Sequence, residues 1–66
     1  MQYTIKGDKL AKVTEIVNSE IDPRATEADV EVHITDDWAE GQEHQDWIDA
    51  ADAQEIADWL GATVYS

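Results

Sequence analysis

Cysteine is absent from this chain, and proline and glycine are scarce, with one proline and three glycines among 66 residues. Without cysteine there is neither a disulfide nor a thiolate metal site, which fits a cytosolic setting at least as well as a secreted one. Scattered glycines form no glycine-rich loop of the kind that cradles phosphate. Apolar runs are only a few residues long and none follows a basic segment at the N-terminus, so we expect neither a membrane span nor a signal peptide.

Lysine and arginine are absent after Arg24. The 16 acidic residues outnumber the 4 basic ones and give a formal net charge of -12, yet the first 24 residues are neutral overall. Residues 25–66 hold the remaining 12 acids and no base, so they carry the whole net charge. Such an asymmetry sets long-range attraction and repulsion and indicates a cationic partner.

A chain of 66 residues is at the low end of what folds alone, and it has no room for a deep substrate cavity. The apolar content of 42%, with three tryptophans, is too high for a chain that stays disordered. No linker or internal repeat divides the sequence. Residues 1–66 are therefore expected to form a single domain.

Apolar periodicity in the first half of the chain predicts a strand, a helix and a second strand. Residues 2–6 alternate in the two-residue period of a half-buried strand. After Asp8, which can cap a helix, apolar positions recur every three or four residues to about Ser19, before Pro23 breaks the pattern. Residues 29–35 alternate most clearly and predict the second strand.

The second half of the chain predicts a hairpin and a helix. The polar stretch Asp36–Glu43 is typical of a hairpin turn that leads to a short third strand at Gln45–Asp49. A helix is expected over Asp52–Leu60, because Asp52 and Glu55 resemble a capping box and Gly61 can end the helix.

These elements predict an α+β fold. The order is β-α-β-β-α, with two helices packed on one face of a three-stranded, mainly antiparallel sheet whose other face stays open to solvent. The expected core consists of the apolar residues on the inner faces: Ile5, Leu10, Val13, Val17, Val30, Val32, Ile34, Ile48, Ile56 and Leu60.

Every acid from Asp37 to Asp58 lies in one register of three residues. A step of three rotates by about 300° on a helix and alternates faces on a strand, so these positions cannot all share one face. We expect an acidic band that wraps around a loop, a strand and a helix. Separated carboxylates of this kind suit a mimic of DNA phosphates, although duplex DNA is denser, with one charge per roughly 1.7 Å of axis.

Metal-binding and catalytic patterns are weak. His33 and His44 could bind a divalent metal with nearby carboxylates, but their spacing is not diagnostic, and we expect no metal and no cofactor. The segment from Asp36 fails as a calcium loop because Trp38 and Trp47 occupy ligand positions. Neither serine lies in a strained turn beside a base. Paired carboxylates need different pKa values to act as acid and base, and a shallow core rarely provides them, so we expect that the chain is not an enzyme.

Two tryptophans have different expected positions. Trp59 flanks the apolar side of the last predicted helix and by default completes the core. On the third strand Trp47 and Ile48 point to opposite faces, so a buried Ile48 would leave Trp47 on the open face near His33, and burial of Trp47 by a local twist is the alternative. An exposed Trp47 would be a rigid anchor for an interface.

In its length of 66 residues, its lack of cysteine and its run without bases from Glu27 to Asp58, the chain resembles small acidic phage-encoded inhibitors that mimic DNA. Among these it resembles anti-CRISPR proteins directed at type I effector complexes. The resemblance is one of class and involves no shared motif, so it assigns no binding residue. It implies a stoichiometric inhibitor in the host-cell cytoplasm that occupies the Lys- and Arg-lined DNA path of its target and binds no nucleic acid itself.

The candidate partner-binding residues are the acids of the band, the preceding Asp36, and Trp47: Asp36, Asp37, Glu40, Glu43, Asp46, Trp47, Asp49, Asp52, Glu55 and Asp58. Two other functions stay open. The chain could be an antitoxin-like partner that neutralises another basic protein, or an ordinary small domain of a halophile. The neutral first 24 residues argue against a halophile, whose acidity should spread over the whole surface.

Overall fold

The computed structural model describes residues 4–5, 7–41 and 45–65, with side chains for all of these except 36–41. Four helices run through these segments: α1 (Gly7–Glu20), α2 (Glu27–Gly41), α3 (Gln45–Ala50) and α4 (Ala53–Thr63). No strand occurs in them, so the expected α+β fold with a three-stranded sheet is wrong. None of these helices is long and apolar enough to cross a bilayer.

Helix α1 confirms the helix expected from Asp8 to about Ser19, but it begins at Gly7, so Asp8 lies in its first turn and is not its cap. Leu10, Val13 and Val17 are buried on one side, in agreement with their three- and four-residue spacing. The hydroxyl of the buried Thr14 donates to the carbonyl of Leu10 at 2.8 Å. This bond satisfies a polar group that the apolar interior would otherwise leave unpaired.

The loop after α1 is fastened to the helix by Asn18. The amides of Ile21 and Asp22 both donate to the carbonyl of Val17, at 2.9 and 2.7 Å. The side-chain amide of Asn18 donates to the carbonyls of Asp22 and Ala25, at 3.1 and 2.7 Å. These bonds satisfy backbone groups at the end of the helix and turn the chain where the sequence predicted a break.

The clearest predicted strand, residues 29–35, lies within the first half of α2. Val30 and Ile34 are fully buried, whereas Val32 is 50% exposed. Burial at a spacing of four residues is helical, because a half-buried strand would bury all three alternate positions. The strand and the burial of Val32 were therefore wrong predictions.

A reciprocal cap fixes the start of α2. The amide of Asp29 donates to Thr26 Oγ1 at 3.1 Å, and the amide of Thr26 donates to Asp29 Oδ2 at 3.2 Å. This is a capping box with aspartate in place of glutamate, and an N-cap of this type is worth about 0.5–2 kcal/mol. The cap offsets part of the helix penalty of the four β-branched residues at positions 30–35, which is about 0.7 kcal/mol or less for each.

The hairpin turn expected at Asp36–Glu43 and the third strand expected at Gln45–Asp49 are also wrong. Helix α2 continues through most of the turn segment, and α3 takes the place of the strand, while residues 42–44 lie outside the described part of the chain. Ile48 and Ala51 are both buried, and their spacing of three residues fits one turn of a helix.

The strand expected at residues 2–6 is not formed in its described part. Thr4 and Ile5 have no regular secondary structure, and the other positions lie outside the described residues. The side chain of Gln45 pairs with Thr4 instead: the Thr4 amide donates to Gln45 Oε1 at 2.9 Å, and Gln45 Nε2 donates to the Thr4 carbonyl at 2.8 Å. A side-chain amide thus supplies the hydrogen bonds that a neighbouring strand would have given.

Helix α4 begins as predicted and ends later. Asp52 is its N-cap and accepts a hydrogen bond from the amide of Glu55 at 2.9 Å, which confirms Asp52 as the predicted cap. Gly61 does not end the helix, which continues to Thr63. A Cβ atom at Gly61 would lie 2.9 Å from Ile21 Cδ1, so the missing side chain lets α4 pack closely against the end of α1.

Helix α1 is central and packs against both α2 and α4. Its first residues line a groove with the start of α4, and Ile21, just past its end, contacts Gly61 near the end of α4. Helices α1 and α4 therefore run in parallel, and α2 returns along α1 after a short loop. All predicted core residues except Val32 are buried, and Trp59 packs against the core as expected.

Candidate partner-binding surface

Five of the predicted partner-binding acids lie on α3, on α4 and in the turn between them, and all five side chains are exposed. We call this set the acidic face: Asp46, Asp49, Asp52, Glu55 and Asp58. Asp36, Asp37 and Glu40 belong to α2, but their side chains lie outside the described part of the structure, as does the whole of Glu43. The second half of the predicted band is thus located, and the first half stays a prediction.

Helical geometry spaces the carboxylates of the acidic face. Asp46 and Asp49 are three residues apart on α3, and Glu55 and Asp58 are three apart on α4. Each pair shares one side of its helix, with Cβ atoms about 5–6 Å apart, and Asp52 lies between the pairs. The located half of the band therefore covers two helices and their connecting turn, in place of the loop, strand and helix that were expected.

Uncharged donors orient three of these carboxylates. Asp49 Oδ1 accepts from Gln45 Nε2 at 3.0 Å, and Asp58 Oδ1 accepts from Gln54 Nε2 at 2.9 Å. Asp52 accepts from the backbone amide at position 55. Because none of these donors is a cation, these hydrogen bonds fix the side chains without adding a positive charge.

Lys9 of α1 contacts the acidic face through backbone carbonyls of α3. Its ammonium donates to the carbonyl oxygens of Ile48 and Asp49, at 2.7 and 2.9 Å. These carbonyls belong to the C-terminal end of α3, where the helix dipole places partial negative charge. Helix α3 has no basic residue in its own last turn. Lys9 therefore compensates the end of α3 from another helix.

Trp47 lies among the acids, and its side chain is 37% exposed, whereas the adjacent Ile48 is 1% exposed. This split was expected for a strand, and a helix produces it as well because successive residues point about 100° apart. The sheet face that Trp47 was expected to share with His33 is not formed, since both residues are helical. A partly exposed tryptophan beside carboxylates is the kind of side chain that anchors interfaces.

An aromatic pair that the sequence did not predict joins α2 to the segment after α4. The rings of His33 and Tyr65 meet edge to face, with centroids 5.6 Å apart and planes at 79°. Burial raises the pKa of Tyr65 above its ordinary value of 10.0, and the negative charges of Asp22 and Asp29 raise it further. No local pattern could have revealed this contact, because its partners are far apart in the chain.

Potential metal ligands do not cluster in the described segments. No group of three or more His, Asp or Glu residues there is placed to hold an ion. His33 packs against Tyr65, and His44 lies outside the described residues. The exposed carboxylates of these segments can attract cationic groups, but they are not grouped as the ligands of a metal site are.

A groove lies at each end of the parallel pair α1 and α4. The groove of about 540 Å³ is at their N-terminal ends and includes Lys12 and Ala53. The groove of about 390 Å³ is at their C-terminal ends and includes Ile16 and Ala62. Neither groove was predicted, because both depend on the packing of α1 against α4, and the two helices were expected to pack on a sheet.

Comparison with known proteins assigns no family to the chain. No protein-family model matches it, and neither a curated protein nor a solved structure does. The resemblance to small acidic inhibitors is therefore one of composition and charge, and function has to be inferred from the exposure, contacts and charges of the residues themselves.

Proposed function

We propose that this protein is a stoichiometric inhibitor that presents an acidic, DNA-mimicking surface to the basic nucleic-acid-binding groove of a target protein, a type I CRISPR-Cas effector. The acidic face carries the proposal. Its five carboxylates are exposed on two successive helices and the turn between them, and the hydrogen bonds described for them come from uncharged donors. They belong to a stretch of 42 residues, 25–66, without lysine or arginine.

Binding to such a target would combine many modest contacts. An exposed carboxylate that meets a lysine or arginine at a wet rim contributes about 0.2–1 kcal/mol, and a desolvated pair near the centre contributes several times more. Trp47 adds a partly exposed apolar side chain next to Asp46 on α3. Affinity would therefore depend on the set of charges and not on one residue.

Preorganisation supports the same proposal. Four of the five acids of the acidic face are aspartates, whose short side chains lose little entropy when they are held in place. Asp49 and Asp58 are already held by glutamines on the same helix. A surface that is ordered before binding loses less free energy on association than one whose side chains must be immobilised.

The proposal is tested by competition on a panel of purified type I effector complexes. The protein should displace a duplex that carries the target site, with an end point at one inhibitor per effector or a small whole multiple. It should not shift duplex DNA alone in a gel at ~0.15 M salt, because carboxylates and phosphates repel each other. Failure to displace DNA from any effector, or tight binding to the duplex itself, would contradict the proposal.

Two outcomes of the same work identify the alternatives. Displacement of nucleic acid from another basic protein, and from no effector, would mean an antitoxin-like partner that uses the same surface on a different target. A chain that folds only in molar salt would be a halophile's domain, whose acidity serves solubility. Circular dichroism in low and high salt distinguishes this last case before any target is needed.

A further inference from the structure

A groove of about 390 Å³ lies where α1 and α4 end, and we call it the C-terminal groove. It results from the parallel packing of the two helices, which brings Ile21 against Gly61. Its volume is near the lower limit for ligand sites, about 300–1,000 Å³, and suits one long side chain. The side chains that matter to its chemistry are apolar and acidic: Ile16, Glu20, Ile21, Asp58, Ala62 and Tyr65.

Negative charge converges on this groove from two sources. The side chains of Glu20 and Asp58 are exposed on its rim, and Gln54 orients Asp58 by a hydrogen bond of 2.9 Å to Oδ1. The second source is the backbone. Helices α1 and α4 both end here without a basic residue in the last turn, and each helix end carries partial negative charge equivalent to about half an elementary charge.

The neighbouring segment leaves this end of the molecule negative. Helix α2 also begins here, but Glu27 and Asp29 in its first turn offset the positive end of its dipole. Asp22 and Asp29 act on Tyr65 of the groove as negative charges. Arg24 is the one basic residue between Glu20 and Val30, and acids outnumber it there.

The apolar lining decides which cation fits. Ile16, Ile21 and Ala62 supply no ligand atoms for a metal ion, but they can pack against the aliphatic stem of a long basic side chain. Tyr65 adds an aromatic ring, which attracts a cation within about 6 Å of its centre. Arginine suits this combination better than lysine, because its guanidinium is planar, weakly hydrated and able to pair with two carboxylates while it stacks on a ring.

We propose that the C-terminal groove binds an arginine side chain and its apolar neighbour in the basic partner protein. The inference rests on the proposed function, because that function supplies a partner rich in arginine and lysine. In the bound state the arginine stem packs on Ile16 and Ile21, and the guanidinium pairs with Glu20 and Asp58. The groove thus adds a specific anchor beside the acidic face, with which it shares Asp58.

The test is a titration of the protein with the peptide acetyl-Leu-Arg-Leu-amide, followed by amide NMR. Shifts should concentrate at Ile21, Gly61, Ala62 and Tyr65, and the peptide with citrulline in place of arginine should bind at least about fivefold more weakly, since citrulline keeps the shape and loses the charge. Either a uniform spread of shifts over the acidic face or equal binding of the citrulline peptide would overturn the proposal.

A pair of matched variants assigns the site. Glu20→Gln/Asp58→Asn removes the two rim charges, and Glu15→Gln/Glu31→Gln removes two exposed charges elsewhere on α1 and α2. The rim variant should weaken the arginine peptide at least about fivefold, and the control variant less than about twofold. Equal losses of affinity in the two variants would mean that the peptide responds only to net charge, and they would overturn the proposed site. Because this assay contains no target, its failure leaves the displacement of DNA from effectors untouched, and failure of that displacement leaves the groove result standing.

Discussion

The exposure of Val32 shows whether its segment is a strand or a helix. Val30, Val32 and Ile34 alternate like a strand, while Val30 and Ile34 alone also have the four-residue spacing of a helix. The two interpretations differ in the position of Val32, which is 50% exposed. Its hydrophobic character gave no information about burial, because single apolar side chains are common on protein surfaces.

We predict that Val32→Gln and Ile34→Ala differ sharply in their effect on the free energy of unfolding. Val32→Gln alters an exposed helical position and should change it by less than about 0.5 kcal/mol. Ile34→Ala empties a fully buried site and should lower it by about 2–5 kcal/mol. Urea unfolding measures both. Equal losses would place Val32 in the core and contradict the helical register of α2.

Tyr65 should ionise at higher pH than an unfolded tyrosine. Burial first, and the charges of Asp22 and Asp29 second, raise its pKa in the folded state, so folding favours the protonated phenol. Its contribution to stability is fully present below the ordinary pKa of 10.0 and is lost as the pH rises through the folded pKa. Phenolate absorbance of a Tyr3→Phe variant isolates Tyr65, and Asp22→Asn should move its pKa back towards 10.0. A titration at the unfolded value would contradict this account.

Caps fix the starts of α2 and α4. Thr26 bonds reciprocally with Asp29, and Asp52 accepts from the amide of Glu55. We predict that Thr26→Ala and Asp52→Ala each lower the free energy of unfolding by about 0.5–2 kcal/mol, while Thr26→Ser changes it by less than about 0.5 kcal/mol because it keeps the hydroxyl. Thermal unfolding measures these differences. A Thr26→Ala variant as stable as the unmodified protein would mean that the cap does not hold the helix.

Helix α3 depends on Lys9. The helix has six residues, too few to be stable alone, and the Lys9 ammonium bonds to two carbonyls at its end. We predict that Lys9→Met speeds hydrogen exchange at the amide of Ala51 at least about fivefold and leaves the amides in the middle of α1 unchanged. Lys12→Met, at an exposed position on α1, is the control. Unchanged exchange at Ala51 would show that α3 is held by other contacts.

The sequence predicted a helix correctly where spacing and capping agreed. Helices α1 and α4 have apolar positions three and four residues apart, and α4 has its predicted cap at Asp52. The cap of α2 was also present in the sequence as Thr26 and Asp29, but aspartate in place of glutamate hid it. Helix α3 carried no local signal, and its described contacts are with distant parts of the chain: Lys9 and Thr4 form hydrogen bonds with it, and Ile48 is buried in the core.

The charge of the candidate site was predictable and its arrangement was not. Exposure of Asp46, Asp49, Asp52, Glu55 and Asp58 follows from their charge alone, because acids are seldom buried without a partner. The C-terminal groove arises from the parallel packing of α1 and α4. This packing brings together Ile16 and Ala62, which are far apart in the sequence. A long-range arrangement of this kind cannot be derived from local periodicity.

The whole protein is larger than the distance over which its exposed charges act. The domain measures 30 × 22 × 18 Å, whereas interactions between exposed charges are screened beyond roughly 8 Å at physiological ionic strength. A partner in contact with one side therefore responds to the charges on that side and only weakly to the net charge of -12. This makes the position of the acids, and not their number, the central claim.

That claim is tested most directly by displacement of duplex DNA from one type I effector, measured for two variants of equal net charge. Asp46→Lys/Glu55→Lys reverses two exposed acids of the acidic face, and Glu15→Lys/Glu31→Lys reverses two exposed acids on α1 and α2. Circular dichroism verifies that both remain folded. Each reversal replaces an attraction of about 0.2–1 kcal/mol by a similar repulsion, so the two together cost about 0.8–4 kcal/mol. The first variant should therefore inhibit at least about fourfold more weakly, and the second less than about twofold. Equal inhibition by the two variants would contradict the account.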